Sequence, residues 1–476
     1  TPGLIDGHTH SELSILKNRQ HPNAVYQGIS TVVTGQCGLG FAPMMPEQFF
    51  DSIRINSGIF GDYRHYLKEW RSFGEFLDQL DGSAVNAAAN VSHNAVRQIV
   101  CGFEETAMDE EELSKARRIM RQAMEEGAVG FSVGLSYYPG GYSDTRELIE
   151  LCKVVKEYDG LFCVHQRLDD GQIPLNPRAE AAEVAKKTGV RLNMLHYRTG
   201  GEEDYHSVFE PFKEIEASGN TVYYEYYPYL VGAGLVLALL PGWAQADGYE
   251  QIMDRLTSEK LRPDLLKAMD ERHSYFFGKG QTARVILTKD PYSERLGKTF
   301  DEIARENHES FSETVIRLLV ENELEVGFAG VDNHTEAMRK KLYEDQYQLF
   351  LDDRYTIGSD TIPTGILCHP RGFGSFAKII CMMRERGVPV EYIIKKLTSM
   401  PAKMYHLEGR GELKPGMKAD ICMMDYKNVR DCADFSSSRR KPEGIRSLYV
   451  NGLPAMEEGT ITGILAGHAL RRGKDE

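Results

Sequence analysis

Two histidines one residue apart, His8 and His10 in "PGLIDGHTHSEL", follow directly on the apolar pair Leu4-Ile5. Alternation along a strand aims both imidazoles to one side, where they either bind a cation or serve as polar loop residues. Further along, Cys37, His93, Tyr137, His165, His196, Tyr227 and Asp360 each fall at or near the end of a short apolar or β-branched run. Singly, each has an ordinary explanation: a buried histidine is more often structural than a ligand, Cys37 reads as a small buried hydrophobe, and Tyr227 in "YYEYYPY" reads as core packing. Together, imidazole, thiolate and carboxylate suit a borderline-soft divalent cation, zinc first. His8, His10, Cys37, His165, His196 and Asp360 are too many for one tetrahedral site and suffice for two adjacent sites, or for one tight site and one weak one. A cation beside a free carboxylate is an arrangement for metal-assisted hydrolysis: the cation acidifies water and polarises a carbonyl while the carboxylate carries the proton.

Something must bring these strand ends together. Several segments repeat one pattern of amphipathic helix, glycine stop and short strand. "DEEELSKARRIMRQAMEEG" (109–127) places Leu113, Ala116, Ile119, Met120 and Ala123 on one face before Gly127, and "AVGFSVG" follows. The pattern recurs before "LFCVHQR", "VRLNMLHYR" and "NTVYYEYYPY", which predicts a parallel sheet covered by helices. Strands are expected over 3–7, 30–36, 84–91, 128–134, 161–166, 191–196, 221–229 and 355–361. That number is the number of a (β/α)8 TIM-like barrel, whose active sites lie at the C-terminal ends of the strands.

The barrel is expected over 1–405, with insertions near 41–82 and 230–350, the second holding extra helices and the strands "ARVILTKD" and "LEVGFAG". Residues 406–476 carry short strands and turn signals, including "NG" at 451–452, and are expected to form a small β-sandwich-type domain. The sequence starts at "TPGLIDG" without Met, and an upstream segment supplying the small domain's N-terminal strands is expected to be missing from it.

The chain has 476 residues, 41% hydrophobic, enough for a large core. Its 70 acidic against 56 basic residues, net −14, argue against nucleic acid or an anionic membrane as partner. The longest apolar stretch, "LVGAGLVLALLPGWA", is broken by glycine and proline, so no membrane span is expected. Eight cysteines without a CxxC pair read as reduced thiols in a cytoplasmic protein. Composition leaves an oligomer open.

The stretches "PGLIDGHTHSE", "GISTVVTGQCGLGFAP", "GAVGFSVGLSYYPGGYSDTREL", "VHQR", "LHYR", "YYPY", "LLPGWA", "IGSDTIPTGILCHPRGFGSF" and "LTSMPAKMYHLEGRGELKPGMKADICMMD" span the chain from end to end. On them the sequence resembles the amidohydrolase superfamily and, within it, the D-aminoacylase (N-acyl-D-amino-acid deacylase) branch. HxH is moderately specific; "TGQCG", "GLSYYPG" and the "SD…HPR" spacing are highly specific. Many amidohydrolases bridge their metals with a carboxylated lysine, and this branch uses a cysteine, which Cys37 matches.

The resemblance implies a tight zinc on Cys37, His165 and His196, with His8, His10 and Asp360 framing a second, weaker site. It implies Asp360 as general acid/base, Tyr137 polarising the scissile carbonyl, Arg371 on the substrate α-carboxylate, and Tyr227 and Arg198 helping to bind the same end. The implied reaction is zinc-dependent hydrolysis of an N-acyl-D-amino acid, with metal-activated water as nucleophile. Tyr197-Arg198 stand where the branch more often has histidine and lysine, and the apolar stretch after "YPY" favours neutral or hydrophobic D-amino acids. A cyclic-amide hydrolase of the hydantoinase or dihydroorotase kind is the alternative, against which Cys37 and Arg371 count. A non-catalytic scaffold on the same fold is a third reading, against which the full ligand set counts.

Overall fold

In the computed structural model, which describes residues 1–44, 46–61, 70–168, 176–277, 282–290 and 292–473, strands and helices alternate from the first residues on. The strands β1 (Leu4–Asp6), β2 (Ile29–Thr34), β3 (Asn86–Ser92), β4 (Gly130–Gly134), β5 (Leu161–His165), β6 (Arg191–Met194) and β7 (Val222–Tyr226) come first. An interval holding β8 (Ala233–Leu235), β9 (Ala283–Leu287) and β10 (Val326–Gly330) separates them from β11 (Tyr355–Ile357). One eight-stranded sheet runs in the order β1-β2-β3-β4-β5-β6-β7-β11, every pair parallel. It closes at its C-terminal end, where Thr9 bridges Thr361, Asp360 N–H donates to the His8 carbonyl and His10 N–H to the Thr361 carbonyl, each at 2.9 Å. Helices cover the sheet, so β2 and β3 are buried at every residue; a strand covered on both faces does not alternate. This is the expected (β/α)8 barrel.

The helix Glu110–Glu126 shows how local sequence sets an element. Asp109 and Glu112 form a reciprocal capping box, Gly127 ends the helix at φ 119°, and Leu113, Ala116, Met120, Ala123 and Met124 are buried. Ile119, expected on that face, is half-buried.

The observed strands are shorter than expected at the functional end. β6 stops at Met194, two residues before His196, and β11 stops at Ile357, three before Asp360. Cys37, His196 and Asp360 lie beyond the ladder, where turns and not strand pleats aim them inward, while His165 is still paired at the end of β5.

Between β2 and β3 lie the helices Pro46–Ile55, Ser57–Phe60 and Phe73–Leu80; residues 62–69 of the insertion expected there fall outside the described residues. The interval between β7 and β11 forms an antiparallel sheet, β8-β10-β9, with several helices, and both strands expected there are present. Toward the C-terminus, β12 (Ile421–Met424), β13 (Ile445–Val450), β14 (Leu453–Glu457) and β15 (Thr460–Ile461) form a four-stranded antiparallel sheet. Asn451 and Gly452, at φ 51° and 84°, turn the β13–β14 hairpin. The start of the chain runs along this sheet: Pro2 bridges Ile421, and Cys422 N–H donates to the Thr1 carbonyl at 3.0 Å. Among the described residues no helix is long and apolar enough to cross a membrane.

Candidate metal centre and substrate cavity

The loop carrying Cys37 leaves β2 through a sharp turn. Gly35, Cys37 and Gly38 all have positive φ (68°, 53° and 64°), a conformation that a non-glycine residue holds only when its surroundings enforce it. Here Glu12 accepts from Gly35 N–H at 2.6 Å, Ser132 Oγ accepts from Gly38 N–H at 3.0 Å, and Ser92 Oγ donates to the Gly38 carbonyl. His196 and Asp360 are likewise at positive φ, 38° and 50°. These three turns bring side chains from β2, β6 and β11 over the barrel axis.

There the side chains form two groups that share Cys37. His8, His10, Cys37 and Asp360 each offer a ligand atom within 4.8 Å of the others, and so do Cys37, His165 and His196. Cys37 Sγ lies 3.4 Å from His8 Nε2 and 3.5 Å from His196 Nε2. His196 Nε2 lies 2.9 Å from His165 Nδ1, and Asp360 Oδ1 lies 3.3 Å from His8 Nε2 and 3.2 Å from His10 Nε2. The sequence suggested one site on Cys37, His165 and His196 beside another on His8, His10 and Asp360; the structure brings all six together and gives the thiol to both groups.

The neighbours of the imidazoles decide which nitrogen faces inward. Glu225 Oε1 accepts from His8 Nδ1–H at 2.8 Å, with both side chains fully buried, so His8 presents Nε2. Ser136 Oγ sits 2.6 Å from His165 Nε2, so His165 presents Nδ1. Burial lowers His165 to about 4. Burial and neighbouring His165 hold His196 well below the imidazole range. Both rings are therefore neutral at pH 7, as metal binding requires. Burial opposes charge on His8, but Glu225, Cys37 and Asp360 together raise it well above the usual value. A cation between Cys37 and Asp360 would meet the same acceptors. Burial pushes the Cys37 thiol up to about 11, so a metal taking it as thiolate displaces a proton. The donor set fits a divalent metal of the zinc type: soft and imidazole ligands converge, and oriented hydrogen bonds back two of them.

Asp360 is buried, which disfavours its charge, yet Arg371 and then His8 and His10 hold it well below the usual carboxylate range. Arg371 Nη1 lies 2.8 Å from Asp360 Oδ2, and Arg371 is itself 0% exposed at the start of the helix Arg371–Glu385. Its guanidinium also stacks on the Tyr227 ring at 4.7 Å. Arg198 flanks the same ring at 4.7 Å and donates to the carbonyls of Tyr227, Tyr229 and Leu230. Two guanidinium groups thus lie against the Tyr227 ring.

A cavity of about 380 Å³ opens over the cluster. His10, Cys37, Tyr137, His165, His196, Tyr227 and Asp360 line it, while Arg198 and Arg371 do not. Much of the remaining wall is apolar, including Leu168, Val231, Leu235, Ala238, Phe328 and Ile362. The Tyr137 ring lies 4.8 Å from that of His165, and burial, with Cys37 and Asp360 nearby, pushes its phenol well above the usual value, so it remains a donor.

His93, also at a strand end, lies elsewhere: its Nε2 meets Glu147 Oε1 at 2.7 Å, and Arg97 pairs with the same carboxylate. Glu225, Glu12 and Ser136 were not singled out from the sequence. Their type and local spacing carry no signal, because their partners lie 217, 23 and 29 residues away.

Comparison with known proteins agrees with this architecture. The chain is 29% identical over 481 residues to a D-aminoacylase of Alcaligenes xylosoxydans xylosoxydans, covering 99% of this chain and 87% of that protein. A solved D-aminoacylase structure, described in connection with a binuclear metal centre, superposes with a TM-score of 0.76 at 26% identity, covering 99% of this chain and 89% of the other. The N-acyl-D-glutamate deacylase of Bordetella bronchiseptica, solved with zinc and a phosphonate inhibitor, shares the fold at a TM-score of 0.76 and 23% identity, covering 99% of this chain and 88% of the other. With the barrel, the ligand set at its mouth and these likenesses in agreement, the chain belongs to the amidohydrolase family, whose model matches residues 1–455.

Proposed function

We propose that this protein is a zinc-dependent hydrolase of N-acyl-D-amino acids, releasing a carboxylate and a free D-amino acid. The observation that carries this reading is the meeting of six ligand side chains and one apolar cavity at the C-terminal mouth of the barrel. Likeness to the D-aminoacylase of Alcaligenes xylosoxydans xylosoxydans supports the choice of substrate.

Cys37, His165, His196, His8, His10 and Asp360 would hold the metal, with Cys37 common to both ligand groups. The bound cation supplies Lewis acidity, polarising the substrate carbonyl and acidifying water. Asp360 takes the proton from the attacking water and delivers it to the leaving nitrogen. Asp360 lines the cavity in which both partners would be bound. Tyr137 donates a hydrogen bond from its hydroxyl to the scissile carbonyl, polarising it as negative charge develops there. Tyr227 lines the cavity on the side of the substrate's amino-acid part. Arg371 and Arg198 place two positive charges behind its ring and favour an anionic substrate through their field.

The wall has no Lys or Arg among its described residues, which favours neutral or hydrophobic side chains over acidic ones. A catalytic barrel over 1–405 with a small β domain over 406–476 accompanies this reading. A cytoplasmic setting also does, supported by eight free cysteines.

The test is hydrolysis of a panel of N-acetyl-D- and N-acetyl-L-amino acids beside a hydantoin, with bound zinc measured in parallel. Release of D-amino acids in proportion to zinc content is expected. Turnover of the hydantoin alone would favour a cyclic-amide hydrolase and overturn the proposal.

A further inference from the structure

Tyr137 reaches the cavity from a loop, and a hydrogen-bond donor on a loop acts only where its backbone is held. Residues 135–143 follow the end of β4 and carry two side chains of the site. Ser136 Oγ sits 2.6 Å from His165 Nε2, and Tyr137 lines the cavity. Leu135 N–H donates to the His165 carbonyl at 3.1 Å, which fixes the start of the loop. Gly141 N–H donates to the Tyr137 carbonyl at 2.7 Å, which gives the loop its shape. Neither bond fixes its far end, and that end is held by Arg167 and Asn94.

Arg167 stands two residues after His165 in the stretch "VHQR" and is buried. Its Nη1 donates to the Gly141 carbonyl at 2.7 Å and its Nη2 to the Ser143 carbonyl at 2.9 Å. Nε and Nη2 also donate to the two carboxylate oxygens of Glu180, each at 3.2 Å. Glu180 is itself buried, in the helix Pro177–Thr188. A guanidinium whose charge is met by a buried carboxylate, and whose other donors end on two loop carbonyls, is a rigid link. Asn94, buried near the start of the helix His93–Cys101, makes a second link. Its Oδ1 accepts from Gly140 N–H at 2.7 Å, and its own N–H donates to the Gly38 carbonyl at 3.2 Å. A Cβ on residue 140 would stand 2.5 Å from that Oδ1, so glycine permits the contact. Asn94 thus ties the loop of Tyr137 to the loop of Cys37, and Arg167 ties it to the strand of His165. Neither side chain lines the cavity.

We propose that Arg167 and Asn94 are positioning residues for Tyr137: they hold residues 135–143 at a fixed place relative to Cys37 and His165, so that the phenol meets the scissile carbonyl. This rests on the deacylase reading and adds to it two residues that do not touch the substrate. A misplacement of about 1 Å can cost about 10²-fold in rate. The loss falls on kcat rather than KM, because the phenol's hydrogen bond strengthens as charge develops on the carbonyl oxygen.

The experiment compares the zinc-loaded wild-type protein with Arg167→Lys and Asn94→Ala, each alone and combined with Tyr137→Phe. It measures kcat and KM for N-acetyl-D-leucine, bound zinc, and amide hydrogen exchange across residues 135–143. Arg167→Lys keeps a positive charge beside Glu180, but one ammonium cannot span the carboxylate and both carbonyls. Asn94→Ala leaves every ion pair intact, so it carries the test if the arginine variant folds poorly. Each single variant should lower kcat by about tenfold or more with KM within about twofold of wild type. Exchange across 135–143 should accelerate, as for a segment that opens more readily. In the Tyr137→Phe background neither change should lower kcat by more than about twofold, because the group it positions is gone. Losses of equal size in both backgrounds, or losses that follow departing zinc, would mean that the two residues act through the fold or the metal and would overturn the proposal. Unchanged kcat in the single variants or in Tyr137→Phe, or unchanged exchange, would do the same. If the wild type hydrolyses no N-acyl-D-amino acid, the deacylase reading falls, and amide exchange still decides whether Arg167 and Asn94 fix the loop.

Discussion

Replacing Gly134 by alanine should disarm the metal centre without touching any ligand. Gly134 is the last residue of β4, and the loop bearing Cys37 lies directly against it. A Cβ built there would stand 1.8 Å from the Cys37 carbonyl oxygen, 2.7 Å from its carbonyl carbon and 2.8 Å from Tyr137 Cδ2. Side-chain carbons essentially never approach below 3.0 Å, so the gap to the carbonyl oxygen must open from 1.8 Å by about 1.2 Å. Two routes relieve the clash. The Cys37 loop can lift, or β4 can retreat toward β5, where Gly134 is paired with His165. Either route moves a ligand. Metal–ligand distances tolerate only about 0.2 Å, and displaced support around a ligand typically costs about 10–100-fold in metal affinity. Overpacking of this kind also costs about 1–3 kcal/mol of stability. The expected result for Gly134→Ala is a folded protein by circular dichroism, with a modestly lower melting temperature, at least tenfold weaker zinc retention against a chelator, and activity falling with the metal. Full zinc content and wild-type kcat/KM in a protein of unchanged stability would refute the claim that β4 positions Cys37.

Cys37→Ala removes the one atom shared by both ligand groups; metal analysis should find neither site filled, and activity with retained zinc would contradict the assignment. Asp360→Asn leaves Cys37, His165 and His196 in place, so zinc should stay while kcat falls by about 10²–10⁴ for want of proton transfer; a rate within tenfold of wild type would count against Asp360 as acid/base. Arg371→Ala removes the nearest counter-charge of buried Asp360 while His8 and His10 remain beside it, so a loss of about 1–3 kcal/mol is expected in denaturant titrations, alongside a higher KM. Unchanged stability in Arg371→Ala would show that the pair in the buried site is not balancing charge.

The barrel is legible in the amino-acid sequence, because helix–strand alternation is written in local periodicity, caps and glycine stops that need no distant partner. The helix Glu110–Glu126, with Asp109, Glu112 and Gly127 at its ends, is legible from its own residues. The "NG" hairpin at Asn451-Gly452 is legible in the same way. Residue type at strand ends also singled out six candidate ligands, since chemistry restricts which side chains bind a soft cation. Tertiary structure alone decided how those ligands combine. That Cys37 faces both His8 and His196, that Glu225 turns the His8 ring, and that Arg371 pairs with Asp360 are outcomes of turns at positive φ and of contacts between different elements of the barrel. His93 carries the same sequence signal as His165 yet pairs with Glu147, because one residue's placement at a helix start points it to a different neighbour. Local pattern fixes which elements form. Only packing fixes which side chains meet, since burial and pairing energies depend on partners that sequence distance does not reveal.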